Sequence, residues 1–183
     1  VMGTAGQDFE SYRVWLASHG VDTSEIKVIP NVFTASFFAT TDKDLNQIAS
    51  FYTGAMSYAR ELSFKDLEYP VDLTIISPND PEAMDKYPDE CEELGIPYIY
   101  DPSQQVVRSR PESLRKGVEG ADILIVNDYE YELLKDRTGM SDAEIRKVVG
   151  RAVVVTLGAE GASIWAGEEI RIPAAPPDRI KDP

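Results

Sequence analysis

From Val71 to Val155 short apolar runs alternate with amphipathic segments, and no other feature constrains the fold of this chain as tightly. "VDLTIIS", "IPYIYD", "DILIV" and "RAVVVTLG" read as strands. "NDPEAMDKYPDECEELG", "RPESLRKGVEG", "DYEYELLKDRTG" and "SDAEIRKVVG" between them read as helices. Asp80 is placed as a cap with Pro81 at the first helical position and Gly95 at the exit; Ser141 caps the last helix, and Gly139 and Gly150 act as stops. Pro88 should kink or interrupt its helix, because it lacks an N–H. "GASIWAG" pairs with the "RAVVVTLG" strand, and "EEIRIP" follows. Apolar strands alternating with amphipathic helices predict an α/β fold, a mostly parallel sheet with helices on both faces.

The preceding residues differ. "GQDFESYRVWLASHGV" reads as a helix with Asp8 as cap, Phe9, Tyr12 and Leu16 on one face, Trp15 and Val14 widening the stripe, and Gly20 as a left-handed stop. "IKVIPNVFTASFFATT" and "NQIASFYTG", joined by "TDKDL", carry β-branched and aromatic residues in near alternation and predict a two-stranded hairpin. Phe33, Ala35, Phe37 and Ala39 fall on one face and Thr34, Ser36, Phe38 and Thr40 on the other. Such a hairpin could cover a polar ligand or pack against another subunit or the core. The expected organisation is an α/β core over 1–25 and 54–183, with a small β lid over 26–53.

Composition excludes several functions. A net charge of −14 argues against nucleic-acid and anionic-membrane partners, which want clustered Lys and Arg. The single cysteine, Cys91, forms no intrachain disulfide and reads as packing; with no signal peptide in "VMGTAGQDFE", a reducing, cytoplasmic setting is expected. The lone histidine, His19, rules out a His-rich metal site. There is no P-loop, no G-x-G-x-x-G and no G-x-S-x-G.

Chemistry is expected beyond the carboxyl ends of the strands, where ligands bind in open α/β sheets. Four ends leave the sheet in polar residues: Ser77–Asp80, Asp101–Gln105, Asn127–Glu130 and Thr156–Gly161. Asn127-x-x-Glu130 has the spacing of a capping box, a stabilising device worth about 1 kcal/mol. The same carboxylate, or Glu132, could face the crevice and hold a hydrated Mg²⁺ near a phosphate. Gly158 and Gly161 are either hairpin-turn glycines or points where backbone N–H groups approach an anion.

In order along the chain, "GTAGQDFESYRVWLASHGVDTSEI", "IYDPSQQ", "DILIVNDYEYELL" and "VVVTLGAEGASIW" resemble the G-x-D-x-x-G, strand-ending Asp-Pro, N-x-x-E and V-T-x-G-x-x-G segments of the ribokinase-like (PfkB) carbohydrate and nucleoside kinases. Glu10-Ser11 replaces the usual Phe-Gly. The resemblance implies a three-layer doubly wound fold with a small β lid, and ATP- and Mg²⁺-dependent phosphorylation of a hydroxyl on a sugar or nucleoside. A monovalent cation is a further candidate cofactor. By position, Asn127 and Glu130 would organise Mg²⁺, Thr156, Gly158 and Gly161 would line the nucleotide site, and Thr34 would belong to the lid. "NQIASFYTGAM" is more similar to nucleoside-preferring members.

The resemblance also locates what is missing. Asp182 fits the first Asp of the family's D-T-x-G-A-G-D segment, placed in the nucleotide site, and the catalytic Asp of that segment would follow Pro183. Both ends read as cut from a longer polypeptide, so the chain as given is expected to be inactive. The hairpin suggests a homodimer through the lid. A non-catalytic nucleotide- or sugar-binding α/β module is the alternative, with a hydrolysing or isomerising enzyme as a minor reading.

Overall fold

The computed structural model describes residues 1–44 and 46–176, in two compact units, Val1–Asp66 and Leu67–Pro183. In the first unit β1 (Gly3–Ala5) pairs in parallel with β2 (Ile26–Val28) across helix α1 (Glu10–Ser18). β3 (Ser36–Thr41) and β4 (Gln47–Tyr52) form a separate antiparallel hairpin, followed by 3₁₀ turns at Gly54–Glu61 and Phe64–Asp66. Ala5, Phe9, Ile29, Ala55, Ala59 and Phe64 are buried.

Two expectations change here. The apolar run from Ile26 to Thr41 is not one strand of the hairpin, since Ile26–Val28 joins β1. The break falls at Pro30, which has no N–H to donate, and Asn31, whose φ of 63° turns the chain through the left-handed region. Asp8 does not cap α1: the N-cap is Phe9, with no side-chain cap bond, and Asp8 turns to Thr34 instead. The stripe expected on α1 is largely exposed, with Tyr12, Val14 and Trp15 all half or more accessible.

Two glycines hold this unit together by close approach. A Cβ on Gly6 would lie 2.2 Å from the Phe33 carbonyl carbon, and one on Gly54 would lie 2.2 Å from the Phe33 oxygen. The chain at Phe33 therefore runs against both, joined by Gln7 N–H to the Val32 carbonyl (2.9 Å) and Ala55 N–H to that of Phe33 (2.9 Å).

The second unit is the α/β sheet. β5 (Thr74–Ile76), β6 (Tyr98–Tyr100), β7 (Ile123–Asn127) and β8 (Ala152–Thr156) are parallel neighbours in chain order. β9 (Ala162–Trp165) and β10 (Glu169–Ile172) extend the same sheet antiparallel. The crossovers are α2 (Pro81–Leu94), α3 (Pro111–Glu119), and α4 (Asp128–Thr138) with α5 (Asp142–Val148). Ile76, Tyr98, Tyr100, Leu124, Val126 and Val153 alternate with less buried neighbours and face these helices. Leu114, Val118, Leu134 and Ile145 close that core from the helix side, each fully buried and contributing about 2 kcal/mol. Helix α3 sits so close that a Cβ on Gly117 would lie 2.4 Å from the Tyr100 ring, while Tyr98 Oη donates to the Gly117 carbonyl at 2.9 Å.

The caps at Asp80, Asn127 and Ser141 form as expected, and Gly95 and Gly139 close α2 and α4 in the left-handed region. Pro88 does not interrupt α2, which runs unbroken from the Asp80 cap to Gly95. Gly150 is not the stop of α5; Val149 is its C-cap, and a Cβ at Gly150 would meet the Asp122 carboxylate at 2.9 Å.

Candidate functional site

Strand β7 delivers Asn127 to the carboxyl edge of the sheet, directly beside Thr156 at the end of β8. The Asn127 side chain accepts from Glu130 N–H at 2.7 Å, and Glu130 Oε2 accepts from Asn127 N–H at 2.9 Å. The capping box is complete, so one carboxylate oxygen of Glu130 is committed and the other carries the remaining acceptor capacity. Tyr129 N–H is taken by Asp128 Oδ1 at 2.9 Å. With the Asn127 and Tyr129 amides taken by carboxylates and the Glu130 amide by the Asn127 carboxamide, the start of α4 suits a cation better than an anion. Glu132 does not share in this: it is exposed and pairs with Lys135 at 2.8 Å.

Glu130 is only 8% exposed. A buried carboxylate needs compensation, and the box supplies part of it. A second carboxylate, Asp101, follows the neighbouring strand β6, near enough for the two charges to act on each other. Burial first, and the Glu130 charge second, raise the Asp101 carboxyl above its ordinary range, against the lowering effect of a backbone hydrogen bond from Ser103. Two acids brought together at a strand edge form a site that a divalent cation would stabilise. Among the described residues no three His, Cys, Asp or Glu side chains converge as a metal cage. One or two carboxylates without a cage is the donor set that suits Mg²⁺, which keeps its waters and completes its shell on phosphate oxygens.

The segment bearing Asp101 is held in an unusual shape. Ser103 has φ +39°, a conformation that costs a non-glycine residue about 1 kcal/mol or more. Buried Gln105 donates Nε2–H to the Asn79 carbonyl at 2.7 Å, which links this segment to the end of β5. The polar ends of β5, β6, β7 and β8 thus lie in succession along one edge.

Gly158 and Gly161 follow β8. Gly161, at φ +94°, would place a Cβ 1.9 Å from the Ile172 oxygen, and its N–H donates to the Gly158 carbonyl at 3.1 Å. Its close approach is to the end of β10, while Gly158, at φ +57°, borders open space. Thr34 belongs to the other unit and precedes β3. Its hydroxyl and N–H both donate to Asp8 Oδ1 at 2.8 Å, and Gly6 N–H donates to the hydroxyl at 2.9 Å. Those bonds, the N–H first, hold the Asp8 carboxyl below its ordinary range. Asp182 lies outside the described residues.

Other features carry no chemistry. Cys91 is buried, and burial with the Glu90 charge pushes its thiol up to about 12, so it stays protonated. A cleft of about 520 Å³ between α2 and α3 is walled by ion pairs, Arg110 with Asp85 and Lys116 with Asp89. No described helix is long and apolar enough to cross a membrane. Reading the sequence missed Asp101 as a partner of Glu130, and Gln105 as an anchor. The Asp-Pro at a strand end was the available signal for the first; nothing local marks the second.

The fold and its acidic strand edge define an open α/β protein with its candidate site at the carboxyl ends of its parallel strands. The chain belongs to the PfkB family: the model for the pfkB family carbohydrate kinases matches residues 1–183. A nucleoside kinase of Methanothermobacter thermautotrophicus is 30% identical across 98% of this chain and 59% of its own length. The structure of Burkholderia thailandensis nucleoside kinase in complex with inosine superposes with a TM-score of 0.91 at 33% identity, covering 100% of this chain and 60% of that one. Ribokinase from Thermotoga maritima, at 19% identity and a TM-score of 0.73, shares the fold. The ribokinase-like α/β fold is the one expected from the sequence. The chain spans about 60% of the length of these kinases.

Proposed function

We propose that this protein transfers a phosphoryl group from ATP to a hydroxyl of a nucleoside in the cytoplasm. The observation that carries the reading is the buried Glu130 carboxylate in the capping box after β7, at the edge where the adjacent β6 ends in Asp101. Its likeness to the Burkholderia thailandensis nucleoside kinase, solved both with inosine and with ADP-inosine, supports the nucleoside as acceptor and ATP as donor. Bound Mg²⁺ would supply neutralising charge at the phosphates. Asn127 holds the Glu130 backbone and fixes the direction of its carboxylate; Glu130 and Asp101 present the negative charge. Thr156, beside Asn127, and Gly158 border the nucleotide. Thr34, tied to Asp8 and Gly6, anchors the root of the hairpin assigned here as the substrate lid. Phosphoryl transfer is mostly positioning and charge neutralisation, and a lid serves it by excluding competing water. The hairpin also exposes Phe37, Phe38 and Ile48, which suits a homodimer through the lid.

The test is ADP release from ATP with Mg²⁺ by the full-length protein, the longer polypeptide expected above, against inosine, other nucleosides and free ribose. Turnover with nucleosides, lowered at least about tenfold by Glu130→Gln, is the expected result. Nucleotide binding without turnover on any acceptor would favour a binding module instead.

A further inference from the structure

Helix α4 presents one face to the segment from Asp101 to Ser109. Glu130 and Arg137 lie seven residues apart, about two turns, and so share that face with buried Leu134 between them. At the far end Arg137 Nη1 donates to the Val107 carbonyl at 2.9 Å and Nη2 to the Ser109 carbonyl at 2.7 Å. Ser109 is itself buried, and its N–H donates to the Gln105 carbonyl at 2.8 Å. A planar guanidinium spanning two carbonyls fixes orientation as well as distance, which a point charge does not. The segment it grips starts with Asp101 and turns through the left-handed Ser103.

We propose that Arg137 is a positioning residue for the Asp101–Glu130 pair. Its fork fastens the Asp101–Ser109 segment to the same face of α4 that carries Glu130. Gln105 on the Asn79 carbonyl ties the segment to the end of β5, and Arg137 on Val107 and Ser109 ties it to α4. The carboxylates are thereby held together before a cation arrives. The inference rests on the reading of this pair as a cation site.

Mn²⁺, which is visible by electron paramagnetic resonance, serves as the probe, with hydrogen exchange at Arg108 and Ser109 read in parallel. Arg137→Met is expected to weaken Mn²⁺ binding about tenfold and to speed exchange at those two amides. Arg137→Lys, which reaches one carbonyl at a time and preserves the charge, is expected to lose about threefold and keeps the test open should the methionine variant not fold. Arg115→Met, on the exposed pair with Glu119, should change neither readout. Mn²⁺ binding weakened by Glu130→Gln but equal to the parent in both Arg137 variants would overturn the inference and leave the cation site standing. Weaker Mn²⁺ binding without faster exchange would also overturn it. Mn²⁺ binding that is absent in the parent or unchanged by Glu130→Gln would overturn the cation site and the inference together.

Discussion

Replacing Gly161 by alanine separates two uses of a glycine that look alike in sequence. At φ +94° and ψ −124° an alanine is in a region that costs an L-residue about 1–3 kcal/mol. Its Cβ would also sit 1.9 Å from the Ile172 oxygen and 2.7 Å from Ala174 N, so that carbonyl must retreat by about 1.5 Å to reach ordinary contact at 3.4 Å. Such a retreat pulls the end of β10 from β9, where Ile172 pairs with Ala162, and each ladder bond lost costs about 1 kcal/mol. With one such bond lost the sum is about 2–4 kcal/mol, or about 10 °C in Tm for a chain of this size. Gly158→Ala meets only open space at φ +57° and should cost about 1 kcal/mol. Urea and thermal unfolding of both variants measure this directly. If Gly161→Ala lay within about 1 kcal/mol of the parent while nucleotide binding collapsed, the packing argument would be wrong and the anion-approach role correct.

Glu130 offers a similar separation. Gln at this position still accepts from Asn127 N–H, so Glu130→Gln should change stability by less than about 0.5 kcal/mol while Glu130→Ala costs about 1–2 kcal/mol, measured by denaturant unfolding; equal losses would refute the capping role. Asp8 titrates below its ordinary 3.8 in the folded protein, so its contribution is present above that value and disappears as pH falls through the lower folded pKa. Asp8→Asn should therefore flatten the fall of Tm below about pH 4, and superimposable pH profiles would count against the Thr34 contact as its cause. Phe38 and Ile48 lie on one face of the β3–β4 hairpin, diagonally across the ladder, 63% and 81% exposed. If that face joins two copies, Phe38→Asp with Ile48→Asp should shift the species in sedimentation velocity from dimer to monomer; an unchanged sedimentation coefficient would dismiss the interface.

What could be read in advance follows from how local each determinant is. Strands β5 to β8 and the caps at Asp80, Asn127 and Ser141 were legible because their causes, apolar runs and N-cap spacing, lie within a few residues. Asp8 was misread because its partner Thr34 is 26 residues away and outcompetes the helix terminus for the carboxylate. The apolar stripe of α1 was real as a pattern, yet a pattern states which residues could be buried and not whether anything covers Trp15. At the site, Asn127 and Glu130 stood out because a polar pair after an apolar run is conspicuous. Asp101 as a second charge, Gln105 as an anchor and Arg137 as a fork depend on which strands are adjacent, and adjacency is a property of the assembled sheet.

The C-terminal sheet keeps its strands in the order β5 to β10, the order in which they occur along the chain. A growing chain emerging from the ribosome can therefore add each new strand to the outer edge left by the previous one. No strand must be inserted between two already paired, and each closure spans only the intervening helix or turn, which keeps its entropic cost small. The edge that accepts the next strand is also the edge most prone to stray pairing, and here it is covered as soon as the next helix and strand are made. Synthesis and assembly of this unit proceed in the same direction.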